Sequence, residues 1–267
     1  MSKFLTPPNN AAAWVQIMEH LFTEPDGKCF HLVTSIADPQ VEYKEFTRIV
    51  DALAKATGVI STMENANAIW PHVLAPPGQD FAKTMKRMKE FAAPLIKEAN
   101  SRHADSYLER LVAWRSKEGG ARVPQLEKII ERMKNEVGNS APKSSAYDLA
   151  IFSAGLDPGY MSFPCLSHLS FKLDISNQKI RLAALYRNHH FISHGYGNFV
   201  GLGRLMRFVA GQVGLGVGGL LCVSTHADAE LQRGKGRIKE SVAEARAFLD
   251  ENGGLATVQK EKAFVTQ

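Results

Sequence analysis

Between residues 165 and 228 the chain runs through two strand-like apolar stretches, a long helical one and a third strand-like stretch. That order restricts it to folds in which a sheet carries packed helices. In "CLSHLSFKLD", Leu169, Phe171 and Leu173 recur every second residue while Ser170 and Lys172 fall on the other face, the period of a half-buried strand with Cys165 at or just before its start. "KIRLAALYR" and "LLCVSTHAD" read as further strands. The intervening "NFVGLGRLMRFVAGQVGLGVGG" reads as a helix rich in small residues that ends in a glycine loop. It matches neither the P-loop pattern nor GxGxxG, so its glycines are assigned to close packing.

The first half is mainly helical. Residues 10 to 23 and 41 to 57 have helical spacing, the second through Phe46, Ile49, Val50, Leu53 and Ala54, and "KCFHLVTSIADP" between them reads as a strand closed by a turn. A charged stretch at 81 to 117 is helical in pattern, "VPQLEKIIERMKNEVG" repeats Leu126, Ile129, Ile130 and Met133 before a glycine stop, and 139 to 148 is a polar loop. With 267 residues, 45% of them hydrophobic, residues 1 to 267 are expected to form one domain.

The composition narrows the function classes. No apolar run approaches 18 residues, and "MSKFLTPPNNAAAW" lacks the apolar core of a secretory signal, so a cytoplasmic chain without a membrane partner is expected. Cys29, Cys165 and Cys222 are widely spaced, which suggests neither a disulfide framework nor a thiolate metal site. A net charge of +5 and a pI near 9.0, with no Lys/Arg block, suit a small anionic ligand and give no nucleic-acid arm. His189, His190 and His194 lack a carboxylate at ligand spacing and read as a polar loop.

Several segments in order, "ENANAIWP", Tyr107 followed by "WRSKEGGARVPQLEKII", "FPCLSHLSFKL", "LYRNHHFISHGYGN" and "GLLCVSTHAD", resemble the thymidylate synthase and pyrimidine nucleotide hydroxymethylase superfamily. The strongest element is Pro164–Cys165, with Arg187 22 residues on and Asn198 another 11 on. The resemblance implies an α/β (α+β) fold with a mixed twisted sheet, helices on one face and a homodimer through the other. It also implies transfer of a one-carbon unit from 5,10-methylenetetrahydrofolate to C5 of a uracil-type nucleotide monophosphate, leaving a methyl or a hydroxymethyl group.

Such chemistry needs a thiolate, because its addition at C6 turns an inert pyrimidine C5 into an enolate carbon. The resemblance gives this role to Cys165. It gives Arg187 the phosphate and the task of lowering the thiol pKa, Asn198 the base, His226 the sugar, and Tyr107 and Trp70 places near the nucleophile and the folate. For the general acid/base carboxylate, Asp51 has the spacing and Glu45 the side chain. The pattern also departs from the family: Asn188 and His190 stand where a serine and a pterin-binding aspartate are usual, Asp228 replaces a sugar-binding tyrosine, Leu166 and Ser170 replace a histidine and a glutamine, and Lys143 alone remains of a phosphate-binding arginine pair. These departures keep open a nucleotide-binding protein that has the fold without the catalysis.

Overall fold

β6 (Leu166–Asp174) and β7 (Lys179–Tyr186) show how the alternating runs fold. Their apolar residues pair face to face, Phe171 with Leu182 and Leu173 with Ile180, and are buried on one side, each fully buried side chain contributing about 1.5–3 kcal/mol. The turn between them ends on Gln178, held at φ 53°, while Asp174 caps it by accepting from the Asn177 backbone N–H at 3.3 Å. The structure, a computed structural model, describes residues 2–76, 78–99, 106–115, 121–139, 142–155, 157 and 164–254. Parts of the 81–117 stretch and of the polar loop, and residues 160–163 before the cysteine, lie outside them.

The other described strands are β1 (Lys3–Leu5), β2 (Lys28–Ile36), β3 (Trp114–Arg115), β4 (Arg122–Val123), β5 (Asp148–Ala150), β8 (His189–His190) and β9 (Gly216–Asp228). The helices are α1 (Asn10–Thr23), α2 (Lys44–Thr57), α3 (Thr62–Ile69), α4 (Phe81–Ala99), α5 (Tyr107–Val112), α6 (Gln125–Glu136), α7 (Tyr196–Val213) and α8 (Lys235–Glu251). The main sheet has the order β1-β2-β9-β7-β6-β5, mixed in direction: β7 and β9 are parallel, β2 and β6 run antiparallel to them. β3 and β4 pair separately.

One sheet face is covered. Leu182, Ala184, Tyr186, Leu220, Cys222 and Ser224 alternate inward and are buried. On the other face Phe4, Val33, Val223 and Leu185 are register neighbours, with Leu221 beside Ala183 in the next row, and Phe4 (61%), Leu185 (38%) and Leu221 (36%) remain exposed.

Gly197, Gly201 and Gly203 of α7 serve packing, as expected from the sequence, whereas Gly211 does not, since a Cβ there meets no atom within 4 Å. A Cβ at Gly203 would lie 1.9 Å from the Pro39 carbonyl oxygen, and one at Gly201 would lie 2.8 Å from that of Ala66 in α3. The expected glycine loop after this helix is shorter than read. Gly214, at φ 75°, ends α7, but Gly216, Gly218 and Gly219 already belong to β9, where a Cβ at Gly218 would meet the Ile180 carbonyl oxygen at 2.7 Å.

Candidate active site

Three strand ends meet at one edge of the molecule: the start of β6, the end of β7 with β8, and the end of β9. β7 and β8 both run alongside β9, Tyr186 opposite Ser224 and His189 opposite Ala227, and the two residues between them, Arg187 and Asn188, leave the ladder. Such an interruption re-aims side chains. The Thr225 hydroxyl fills the gap by donating to the Arg187 carbonyl at 2.7 Å.

Arg187 is thereby hung on the nucleophile candidate. Its backbone N–H donates to the Cys165 carbonyl at 2.9 Å, and its Nε donates to the Pro164 carbonyl at 3.1 Å. The Tyr107 hydroxyl, from α5, accepts from the Leu166 N–H at 3.3 Å. Burial, reinforced by the charge a Cys165 thiolate would carry, pushes the Tyr107 phenol up to about 12. Cys165 is half-buried, and here the electrostatic expectation needs correction: burial outweighs the Arg187 charge, so its thiol is pushed up rather than down. The guanidinium moderates the cost of a thiolate without overcoming it.

The α5 end is anchored by a buried ion pair. Arg110 binds Asp157 through two hydrogen bonds, at 2.7 and 2.6 Å, with both side chains 2% exposed. Removing one partner of such a pair costs about 3–5 kcal/mol.

Asn198, in the first turn of α7, is buried, and its Nδ2 lies 3.2 Å from His189 Nε2. His189 lies flat on Tyr186, ring centroids 4.1 Å apart and planes 9° from parallel, and its Nδ1 is 3.0 Å from the Ser224 hydroxyl. Burial, with the neighbouring His194 and His190 charges, lowers its pKa to about 3, so the ring is neutral. With Asn198 donating to Nε2, the ring proton is assigned to Nδ1 and donated to Ser224. His189 is therefore a buried positioning group rather than part of a polar loop. The sequence could not show this, because Ser224 lies 35 residues away in the chain.

The positions that depart from the family pattern touch one another. His226 Nδ1 is 2.7 Å from Asn188 Oδ1, Asn188 Nδ2 is 2.8 Å from His190 Nε2, and His190 Nδ1 is 4.0 Å from Asp228, which also faces Lys28 at 3.8 Å. Asn188, His190 and Asp228 thus form one polar chain with His226 at its head.

The remaining expected residues lie elsewhere. Asp51 accepts from the Thr62 N–H at 2.7 Å, at the start of α3, and Glu45 is an exposed partner of Arg48 at 2.6 Å. Lys143 is exposed, its backbone N–H bound to Glu136 at 2.5 Å. Trp70 is 1% exposed and packs on Phe208, centroids 4.5 Å apart. Phe208 lies ten residues, about 15 Å, along α7 from Asn198.

Sequence reasoning missed Glu230. It is 2% exposed, adopts φ 50°, and accepts from the Ser193 N–H at 2.7 Å, the Ser193 hydroxyl at 2.6 Å and Arg233 Nε at 2.7 Å. Burial opposes its charge, but these hydrogen bonds hold its carboxyl below the usual range. It fixes the π-helical turn Phe191–Gly195 that leads into α7. Among the described residues no three His, Cys, Asp or Glu side chains are grouped to hold a metal, and no helix is long and apolar enough to cross a membrane.

No family model matches the chain. It is similar to proteins named "Putative thymidylate synthase" from Methanosarcina acetivorans, 29% identical over 150 residues, covering 56% of this chain and 64% of that one. The protein of that name from Methanosarcina mazei is 30% identical over 149 residues, covering 55% and 63%. That from Methanococcoides burtonii is 29% identical over 151 residues, covering 56% and 64%. The chain spans less than two thirds of the length of these relatives, and the relationship is a distant, thymidylate synthase-like one.

Proposed function

We propose that the protein has a thymidylate synthase-type fold and transfers a one-carbon unit to C5 of a uracil-type nucleotide monophosphate, with Cys165 as the nucleophile. The observation that carries this reading is the double hold of Arg187 on Pro164 and Cys165, which sets a cation beside the one half-buried thiol among the described cysteines. In the proposed reaction the Cys165 thiolate adds to C6, the C5–C6 π electrons move onto O4, and C5 becomes the carbon that attacks. Arg187 favours the thiolate and binds the monophosphate, and the Tyr107 hydroxyl, held on the Leu166 N–H, feels the charge of both. Asn198, fixed through His189, presents one amide orientation to the base, which suits the O4 acceptor and N3–H donor of uracil. His226 and Asp228 face the sugar.

The proposed one-carbon donor is 5,10-methylenetetrahydrofolate. Trp70 and His190, the residues expected to hold it, lie in different surroundings, Trp70 against Phe208 and His190 on Asn188, and do not make a joint pterin site. The steps above therefore stop at activation of the pyrimidine. The exposed face that carries Phe4, Leu185 and Leu221 suits a second copy of the chain, so a homodimer is proposed; Leu185→Lys should shift the mass in light scattering toward the monomer.

A second reading, nucleotide binding without turnover, is favoured by the raised Cys165 thiol and the altered chain of Asn188, His190 and Asp228. Tritium release from 5-tritiated UMP and dUMP in the presence of 5,10-methylenetetrahydrofolate, whose carbon must bond to C5 before the C5 hydrogen can leave, separates the two. Release that requires Cys165 supports the transferase, whereas calorimetric binding of the nucleotide with no release supports the second reading. Neither binding nor release would end both.

A further inference from the structure

The far half of α7 keeps different company from its first turn. There Arg204, Arg207 and Phe208 meet Trp70, His72 and Gln79 of the connection between α3 and α4 around a cavity of about 520 Å³. This is within the range of small-molecule sites, roughly 300–1,000 Å³.

Two observations indicate a ligand. Arg204 is 7% exposed; its Nε and Nη2 donate to Glu42 at 2.9 and 2.6 Å, while its Nη1 is buried with no hydrogen-bond partner among the described residues. Nδ1 of His72 is in the same condition. A buried donor left idle is costly, and a guanidinium N–H more so than a neutral one. The second observation is the cavity's chemistry: among the described residues no carboxylate lines it, Arg207 stands at it and donates to the Gln40 carbonyl at 3.0 Å, and Trp70 and Phe208 provide an apolar wall.

We propose that this cavity is a second ligand site, distinct from the strand-end site, for a small organic anion with an apolar body and one phosphate or carboxylate group. The anionic group meets Nη1 of Arg204 and Nδ1–H of His72, and the apolar body lies along Phe208. Glu42 fixes the plane of the guanidinium, and the groups that cover the buried Nη1 open toward the cavity to admit the anion.

The test is calorimetric titration of the full chain with phenyl phosphate, benzoate and inorganic phosphate as probes. The expected result is one saturable site that takes phenyl phosphate or benzoate at least about tenfold more tightly than inorganic phosphate. The better of the two organic probes identifies the anionic group, and dUMP does not displace it. Gly211 lines the cavity, and a Cβ there meets no atom within 4 Å, so Gly211→Phe adds a plug without disturbing the helix. It should weaken the organic probe at least about tenfold while leaving dUMP binding and the melting temperature near wild type. Arg204→Lys, which keeps a charge toward Glu42 but loses the fork, should act in the same direction. Failure of both organic probes to saturate at millimolar concentration, unchanged binding by Gly211→Phe, displacement by dUMP, or equal affinity for inorganic phosphate would each overturn the proposal. Because dUMP is titrated separately, loss of the nucleotide reading would leave this result standing.

Discussion

Cys165 and His189 occupy neighbouring strand ends, and burial acts on both, raising the thiol and lowering the imidazole. Each group is thereby held neutral at neutral pH. The difference is what opposes burial: Cys165 has the Arg187 guanidinium beside it, whereas the neighbours of His189 are aromatic rings, Ser224 and Asn198, and the nearby histidines only add to the effect of burial. A titratable group that a counter-charge pulls against burial can be tipped by a ligand. One without it is locked, which suits a residue that only orients another.

The largest test of this contrast is Cys165→Ser. Exchanging a thiol for a hydroxyl changes little volume but removes the accessible anion, so nucleotide-dependent tritium release should fall to background while the melting temperature and nucleotide affinity hold. Activity near wild type would remove Cys165 from the chemistry.

Next in size is the acid limb of stability. His189 titrates near 3 when folded and near 6.5 when exposed, so between those values the unfolded chain carries a proton the native one lacks. Its contribution to stability is intact above about pH 6.5 and lost as pH falls toward 3, at about 1.4 kcal/mol per pH unit for this one group. Urea unfolding from pH 7 to 4 should show that slope. His189→Phe should flatten it while lowering stability at pH 7 by about 1–3 kcal/mol for each polar group left unpaired. An unchanged slope in the variant would place the acid sensitivity elsewhere.

Arg187→Gln probes the other side. Monophosphate binding should weaken by about 1.5–3 kcal/mol with little effect on the free nucleoside. Alkylation of Cys165 by iodoacetamide should inflect above the pH of an exposed cysteine in the wild type, and higher still in the variant, since only burial then acts. A variant whose inflection moved down would contradict the role given to the guanidinium.

The smallest effect belongs to Ser224→Ala, which removes the acceptor that selects the Nδ1–H form of His189. A loss of about 1 kcal/mol in stability is expected, with the preference for UMP over CMP narrowed several-fold. Equal weakening of both nucleotides would assign Ser224 a purely structural place.

Much of the fold was legible where periodicity is strong. The 10–23 helix is α1, the alternating run after Cys165 is β6, and "KIRLAALYR" is β7, because burial on one face writes itself into every second or every third and fourth residue. The break at Arg187 and Asn188 leaves no periodic trace, since two residues are too few, and the three-residue β1 and β5 are equally silent. At the site, Cys165, Arg187 and Tyr107, singled out by the resemblance, lie close together. The direction of the Cys165 shift was not readable, because it depends on how deeply three separate elements bury one sulfur. Glu230 and His189 escaped for a related reason: a buried polar residue is recognisable only once its partners, distant in the chain, are known.

β9 has a consequence for how such a chain can diverge. From Leu220 to Ser224 its residues alternate between the helix-covered side and the open side, and the same strand ends in His226 and Asp228. Inserting or deleting one residue within it would exchange the two sets, turning Cys222 and Ser224 outward and Leu221 and Val223 inward, and would shift His226 away from Asn188. Length variation among descendants of this sequence should therefore be nearly absent between Leu220 and Asp228 and accumulate in the connections outside the sheet, so that substitution, not insertion, is the route by which this edge of the molecule acquires new specificity.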